Sequence, residues 1–427
     1  MTGVLLEPHA EVRGSEVRTI AVSADRTAWV ADTWNALDGE AREPGEYEVR
    51  VRVDGGSGGL SMQVPPCAGR EHVSLDGRDV PSPPGPVVVL LGSGTHDIVI
   101  TVRVSRYERR IACGEAPRVG PARTTTEGLG VLAFDSPHGP AGGGRAVVYV
   151  PQGHDPSRPG ALLVGLHPWN GAMWTYAAYA QLLREAEARD VVLLMPSGLG
   201  NSLYVADAED EVMRAIDALG EVVAVDPRRV SLWGASMGGA GATTVGFHHP
   251  DRFASVTSFF GDSRYDLSTY VRGLLHDEHG AHLVNALDVL DNARWLPVWL
   301  VHGEDDRTSP IRQSEMLADA MRARGYAVSF ERVPGIGHAG ALVARYIGGV
   351  VDRAATLRVA ELPARVSYRS VRPWDTGAYG VHFQRASNEG DAFIDVERTG
   401  AEVRVIHQEN VRRWWLDPGA LGGAGSP

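Results

Sequence analysis

The chain has 427 residues, of which 43% are hydrophobic and 22% charged. Those proportions are ordinary for a globular protein, and the length suits two or three domains at about 150 residues each. A formal net charge of −12 offers no general attraction to nucleic acid or to an anionic membrane, so neither is expected as a partner.

The start of the chain, "MTGVLLEPHAEVRGSE", has no basic segment followed by a long apolar one. No signal peptide is expected, and no apolar run suggests a membrane helix. A cytoplasmic location is slightly favoured, with secretion open if a signal has been removed. Residues 1–128 read as β-rich. "EYEVRVRV" (Glu46–Val53) and "HDIVITVRV" (His96–Val104) alternate apolar with polar side chains, the period of a half-buried strand. Clusters such as "DGGSGG" and "PSPPGP" read as turns between such runs. Several short strands with turn signals predict a β-sandwich accessory domain. The region resembles the jelly-roll modules fused to carbohydrate-active enzymes, through "EPGEYEVRVRV", "VSLDGRDV" and "LGSGTHDIVITV". Trp29 and Trp34 are candidates for a sugar-stacking platform, although packing is the preferred role. Cys67 and Cys113 make neither a disulfide framework nor a zinc cluster. Two free thiols are expected, with one bridge as the alternative.

"FDSPHGPAGGGR" (134–145) reads as a loop between early strands. From 129 to 358 apolar strand candidates alternate with helical segments: "RAVVYVP", "ALLVGLHP", "VVLLMP", "RVSLWG", "SVTSFF", "PVWLVHG" and "AVSFERVPG" are the strands. This alternation predicts an α/β fold, a doubly wound and mostly parallel sheet with helices on both faces. Residues 359–417 read as a small β region packed on that domain, with "VRRWW" as its contact. Residues 418–427 read as a disordered tail.

One strand candidate ends in Gly234-Ala235-Ser236-Met237-Gly238, ahead of an Ala/Gly-rich helical stretch. G-x-S-x-G at a strand-to-helix turn is a nucleophile elbow, which exposes a serine hydroxyl above a sheet. A nucleophilic serine needs a base, and the base needs an orienting acid. Downstream, Glu304-Asp305-Asp306 follow the strand ending at Gly303, and His338 follows the next strand in a glycine turn. Both lie where open α/β sheets put their sites, at C-terminal strand ends. Asp306 is the chosen acid, in competition with Asp305 and Glu304. His302 reads as a structural strand end.

The central region resembles the α/β-hydrolases of the feruloyl-esterase, esterase-D and polyhydroxyalkanoate-depolymerase kind. It is also similar to prolyl-oligopeptidase-type catalytic domains. The resemblance rests on "RAVVYVPQGHDPSRPGALLVGLHPWNG", "VDPRRVSLWGASMGGAGA", "PVWLVHGEDDRTSP" and "GIGH". It implies a Ser236–His338–Asp306 triad, an acyl-enzyme and no cofactor. The oxyanion would be held by backbone N–H groups, one from Met237. The other segment, "LLVGLHPWNG", departs from the family by having Pro168 after His167. Proline has no N–H, so Trp169 becomes the second donor. The long connection after "SVTSFF" offers Arg264, Tyr265 and Tyr270 as substrate contacts, and Trp174 is a further pocket candidate. His276, His279 and His282 read as a solvated turn, and no metal is expected. The implied substrate is a small or polymer-linked ester. A peptide or amide is second, and a non-catalytic binding protein of the same fold is third.

Overall fold

A computed structural model describes residues 5–8, 19–21, 28–29, 45–64, 70–80, 87–104, 118–121, 129–138, 143–155, 157–267, 278–361, 363–400 and 402–417. Cys67, Cys113, Trp34, Tyr270, His276 and "PSPPGP" lie outside the described residues, as does the side chain of Trp29. The chain divides into two compact units. One spans 1–156, 169–202 and 206–223; the other spans 157–168, 203–205 and 224–427.

In the first unit, two long antiparallel strands, Gly45–Val64 and Val87–Val104, are the spine of a sheet. Arg70–Leu75 pairs with the second of these, and Arg118–Pro121 with the first. The alternation seen in the sequence places Val51, Val53, Ile98, Ile100 and Val102 in buried positions. The described strands before residue 122 form one sheet, so the sandwich expected there is seen only as this one layer. "DGGSGG" is not a turn. It lies within the Gly45–Val64 strand, where the register with the partner shifts between Asp54 and Ser57 and again between Ser57 and Leu60. Glycines tolerate such bulges, and the hydrogen bonds of the long partner strand carry the chain through them.

The same unit holds β1 (Leu129–Asp135), β2 (Gly143–Tyr149) and β4 (Val191–Pro196), with β2 antiparallel to both of the others. Helices α1 (Ala180–Arg189) and α2 (Asp207–Val222) belong to it as well. Glu211 of α2 is buried and accepts a hydrogen bond from the Ser136 hydroxyl.

The second unit contains five parallel strands. They are β3 (Gly160–Leu166), β5 (Val225–Ala235), β6 (Ser255–Phe259), β7 (Val298–Gly303) and β8 (Val328–Val333). They pair in the order β3-β5-β6-β7-β8. β3 and β6 are buried throughout, as expected for parallel strands covered on both faces. Helices α3 (Met237–His248), α4 (Arg312–Ala323) and α5 (Ala341–Thr356) accompany them. The parallel strands alternating with helices make this an α/β fold.

The C-terminal residues of this unit form two three-stranded sheets. One joins β9 (Arg365–Ser370), β12 (Ala392–Thr399) and β13 (Glu402–Glu409); the other joins β10 (Gly377–Ala378), β11 (Val381–Arg385) and β14 (Val411–Leu416). They share a core of Val366, Tyr368, Phe383 and Ile394. Their anchorage differs from the sequence reading. Tyr368 Oη donates to His248 O at 2.8 Å and Tyr379 Oη to Pro250 O at 2.9 Å. Asn292 exchanges hydrogen bonds with the backbone of Arg369. "VRRWW" is not the contact: Trp414 is half-buried against the local core, and Trp415 is exposed and stacked on His382.

Candidate active site

Ser236 sits between β5 and α3 with φ +56°. A non-glycine residue pays roughly 1–3 kcal/mol for such a backbone and keeps it only where neighbours enforce it. Here the Ser236 N–H donates to Phe259 O at 2.9 Å. The flanking glycines explain the motif physically. A Cβ on Gly238 would stand 1.8 Å from Leu166 O, and one on Gly234 would stand 2.3 Å from Gly238 O. Side chains at either position would push the turn off β3. The turn therefore projects the serine while α3 begins at once, at Met237. The first N–H groups of a helix have no partner within it and carry its positive dipole end.

His338 Nε2 lies 2.8 Å from Ser236 Oγ, and His338 Nδ1 lies 2.7 Å from Asp306 Oδ2. A carboxylate only accepts, so Nδ1 carries the proton and Nε2 is left to accept from the serine hydroxyl. Asp306 Oδ1 accepts the backbone N–H groups of Thr308 (2.8 Å) and Ser309 (2.9 Å). Its side chain is fully buried. Burial pushes its carboxyl up, but hydrogen bonds from His302, His338 and the Ser309 N–H outweigh this. The net effect holds it well below the usual carboxylate range. It is therefore an anion at any ordinary pH. Asp305 and Glu304 are exposed instead, and Glu304 pairs with Arg332.

Phe260, at φ +40°, packs on the His338 ring with centroids 4.5 Å apart. His302 is fully buried at the end of β7, with Nδ1 2.7 Å from Ser314 Oγ and Nε2 2.8 Å from Ser309 O. Neither contact was foreseen from the sequence. Phe260 has no motif, and His302 was read only as a strand end.

The remaining candidates belong to both units. Trp169 is half-buried and Trp174 is buried, both in the first unit. Arg264 makes a two-point pair with Asp266 at 3.0 and 2.7 Å. Tyr265 is buried at 1% exposure and donates to Leu203 O at 3.3 Å, which makes it part of the framework and not an exposed pocket wall. His282 lies between two carboxylates, Asp288 at 3.0 Å and Asp391 at 2.8 Å. Among the described residues no cluster of His, Cys, Asp and Glu suits a metal ion.

The sequence model of the Prolyl oligopeptidase family matches residues 203–354, which include Ser236, Asp306 and His338. The central region is an α/β-hydrolase of the serine-hydrolase superfamily. The hydrolase is also similar to acyl-protein thioesterase 1 of Gibberella zeae, with 29% identity over 112 residues, 26% of this chain and 42% of that protein. The chain thus spans about two fifths of that relative's length. Among solved structures, an S-formylglutathione hydrolase from Agrobacterium tumefaciens has 17% identity and a TM-score of 0.49, covering 56% of this chain and 99% of its own. Dipeptidyl peptidase 4 of Porphyromonas gingivalis has 14% identity and a TM-score of 0.44, covering 53% of this chain and 36% of its own.

Proposed function

We propose that this hydrolase cleaves carboxylic esters through an acyl-enzyme on Ser236. The observation that carries the reading is the unbroken hydrogen-bonded series Asp306–His338–Ser236 at a strained turn. Ser236 Oγ attacks the ester carbonyl carbon while His338 Nε2 takes its proton. The imidazolium that forms is stabilised by Asp306 through Nδ1–H. The carbonyl oxygen becomes an oxyanion and is met by the Met237 N–H at the start of α3. His338 then hands its proton to the departing alkoxide, and the C–O bond breaks. Water, deprotonated by the same nitrogen, hydrolyses the acyl-serine and restores the site.

A peptide or amide substrate is the second reading. The match to the Prolyl oligopeptidase family favours it, and the same chemistry serves both bonds. The test has two parts. A fluorophosphonate probe should label the protein stoichiometrically and fail to label Ser236→Ala. The same variant should lose up to about 10⁶ in kcat. A panel of nitrophenyl esters, feruloyl and acetyl sugars and peptide amides then decides the substrate class. Labelling that survives in Ser236→Ala would remove the serine from its role. An unlabelled wild type would favour a binding protein that only keeps the fold.

A further inference from the structure

The loop between β7 and α4 carries the acid, and one buried residue beside it has both ring nitrogens engaged. His302 Nε2 lies 2.8 Å from Ser309 O and 3.4 Å from Asp306 Oδ2. A carbonyl oxygen only accepts, so Nε2 must carry the proton. Nδ1 is then the acceptor, and the Ser314 hydroxyl on the first turn of α4 donates to it at 2.7 Å. The Ser309 carbonyl thereby fixes the tautomer, and Ser314 holds the far side of the ring.

Ser309 is the piece through which this acts. It is 1% exposed, and its three polar atoms are all used. The N–H donates to Asp306 Oδ1 at 2.9 Å, the carbonyl accepts from His302, and Oγ donates to Asp262 Oδ1 at 2.5 Å. The backbone of Ser309 is thus held from two sides and aims its N–H at the carboxylate. With Thr308 N–H also on Oδ1 at 2.8 Å, Oδ2 is left facing His338 at 2.7 Å. His302 Nε2 also stands 3.4 Å from that Oδ2, its shorter contact being the one to Ser309 O. The other charged groups of this surrounding are Asp262 beyond the Ser309 hydroxyl, and Asp305 and Glu304 earlier in the loop, the latter paired with Arg332.

We propose that His302 is a positioning residue for the acid: acting through Ser309, it holds the Asp306 carboxylate in register with His338. The proposal rests on the hydrolytic reading above. Without the His302 N–H, Ser309 loses its outer tether, and the carboxylate turns away from the geometry that orients the base.

The experiment measures kcat, KM and the pH profile of kcat/KM on a nitrophenyl ester, with thermal melts as the folding control. His302→Leu should lower kcat by about 10²-fold, the scale of a small misplacement of a reacting group, and leave KM unchanged. Its acid limb should move to lower pH, because a carboxylate turned away from His338 stabilises the imidazolium less. His302→Gln, whose amide N–H reaches about as far as Nε2–H, should restore most of the rate. Ser314→Ala, which keeps the imidazole and its bond to Ser309 but removes the hydrogen bond that holds the ring's far side, should show a smaller loss of the same kind. Wild-type kcat and acid limb in His302→Leu and Ser314→Ala would overturn the proposal. So would a loss that Gln fails to restore with the acid limb unmoved, since that is the mark of packing alone. Should His302→Leu not fold, Ser314→Ala and His302→Gln decide by the same criteria. Ser236→Ala runs beside them. If it stays active, the hydrolytic reading falls; if it is dead while the His302 and Ser314 variants behave as wild type, only the positioning role falls.

Discussion

Three acids stand side by side after Gly303, and burial separates them. Asp306 has its carboxylate out of water, bonded to two backbone N–H groups and to His338, whereas Asp305 is exposed. Asp306→Asn keeps the shape but replaces an acceptor oxygen with a donor. The imidazole then settles in the wrong tautomer, and kcat should fall by about 10⁴. Asp305→Asn should cost much less. Steady-state kinetics on both variants checks this, and the reverse ranking would transfer the role to Asp305. The sequence could name the group of three from its place after a strand. It could not choose by pattern, because adjacent loop residues have no periodicity to say which one points inward. Tyr265 shows the opposite limit. A tyrosine in a long connection near the acid looked like a substrate contact, yet its ring is buried and its hydroxyl is bonded to Leu203 O.

At the scale of elements, the parallel strands were legible because strands buried on both faces read as apolar runs. The long β-strands of the first unit were legible by alternation. The glycine run 54–59 misled, since a local turn signal carries no information about a distant partner strand. The same holds for the C-terminal sheets, whose anchor is two tyrosines and Asn292 rather than the conspicuous tryptophans. Another tie of these sheets depends on charge. His282, at the end of the short helix Glu278–His282, has both nitrogens on carboxylates, Asp288 and Asp391. Partial burial alone would lower its proton affinity. The hydrogen bonds its ring N–H groups give to Asp391 and Asp288 win, and the histidine is raised above its ordinary value. Asn285 also holds Asp288, and Arg369 stands 3.7 Å from Asp391. A histidine raised in the folded state stabilises fully below its unfolded value, near 6.5, and loses that contribution as pH rises through the folded value. With the ring about a third exposed, solvent screening keeps the effect modest. His282→Gln should therefore melt below wild type at about pH 6 and approach it at about pH 9. A gap that stays constant across that range would mean the ring only packs.

For the whole molecule, the question is what the residues before 129 contribute. Their strands form a sheet of their own, and none of the described ones pairs with β1 or β2. That separation suits an accessory domain. Yet by its contacts this region belongs to one compact unit with β1, β2, β4, α1 and α2, and not to a unit of its own. A freely tethered module would raise the effective concentration of a polymer substrate and leave small esters untouched. A packing domain would instead share buried surface with the elements beside it, so its removal exposes apolar area at roughly 25 cal/mol per Å². The shared unit favours packing. A fragment beginning near residue 125 should then be poorly soluble, or melt well below the full chain, with altered kinetics even on small nitrophenyl esters. A fragment that is soluble, melts with the full chain and keeps its small-ester kcat and KM would rule packing out. The N-terminal sheet would then be free to act as a binding module, and a polymer-linked ester would be the substrate on which its loss is felt.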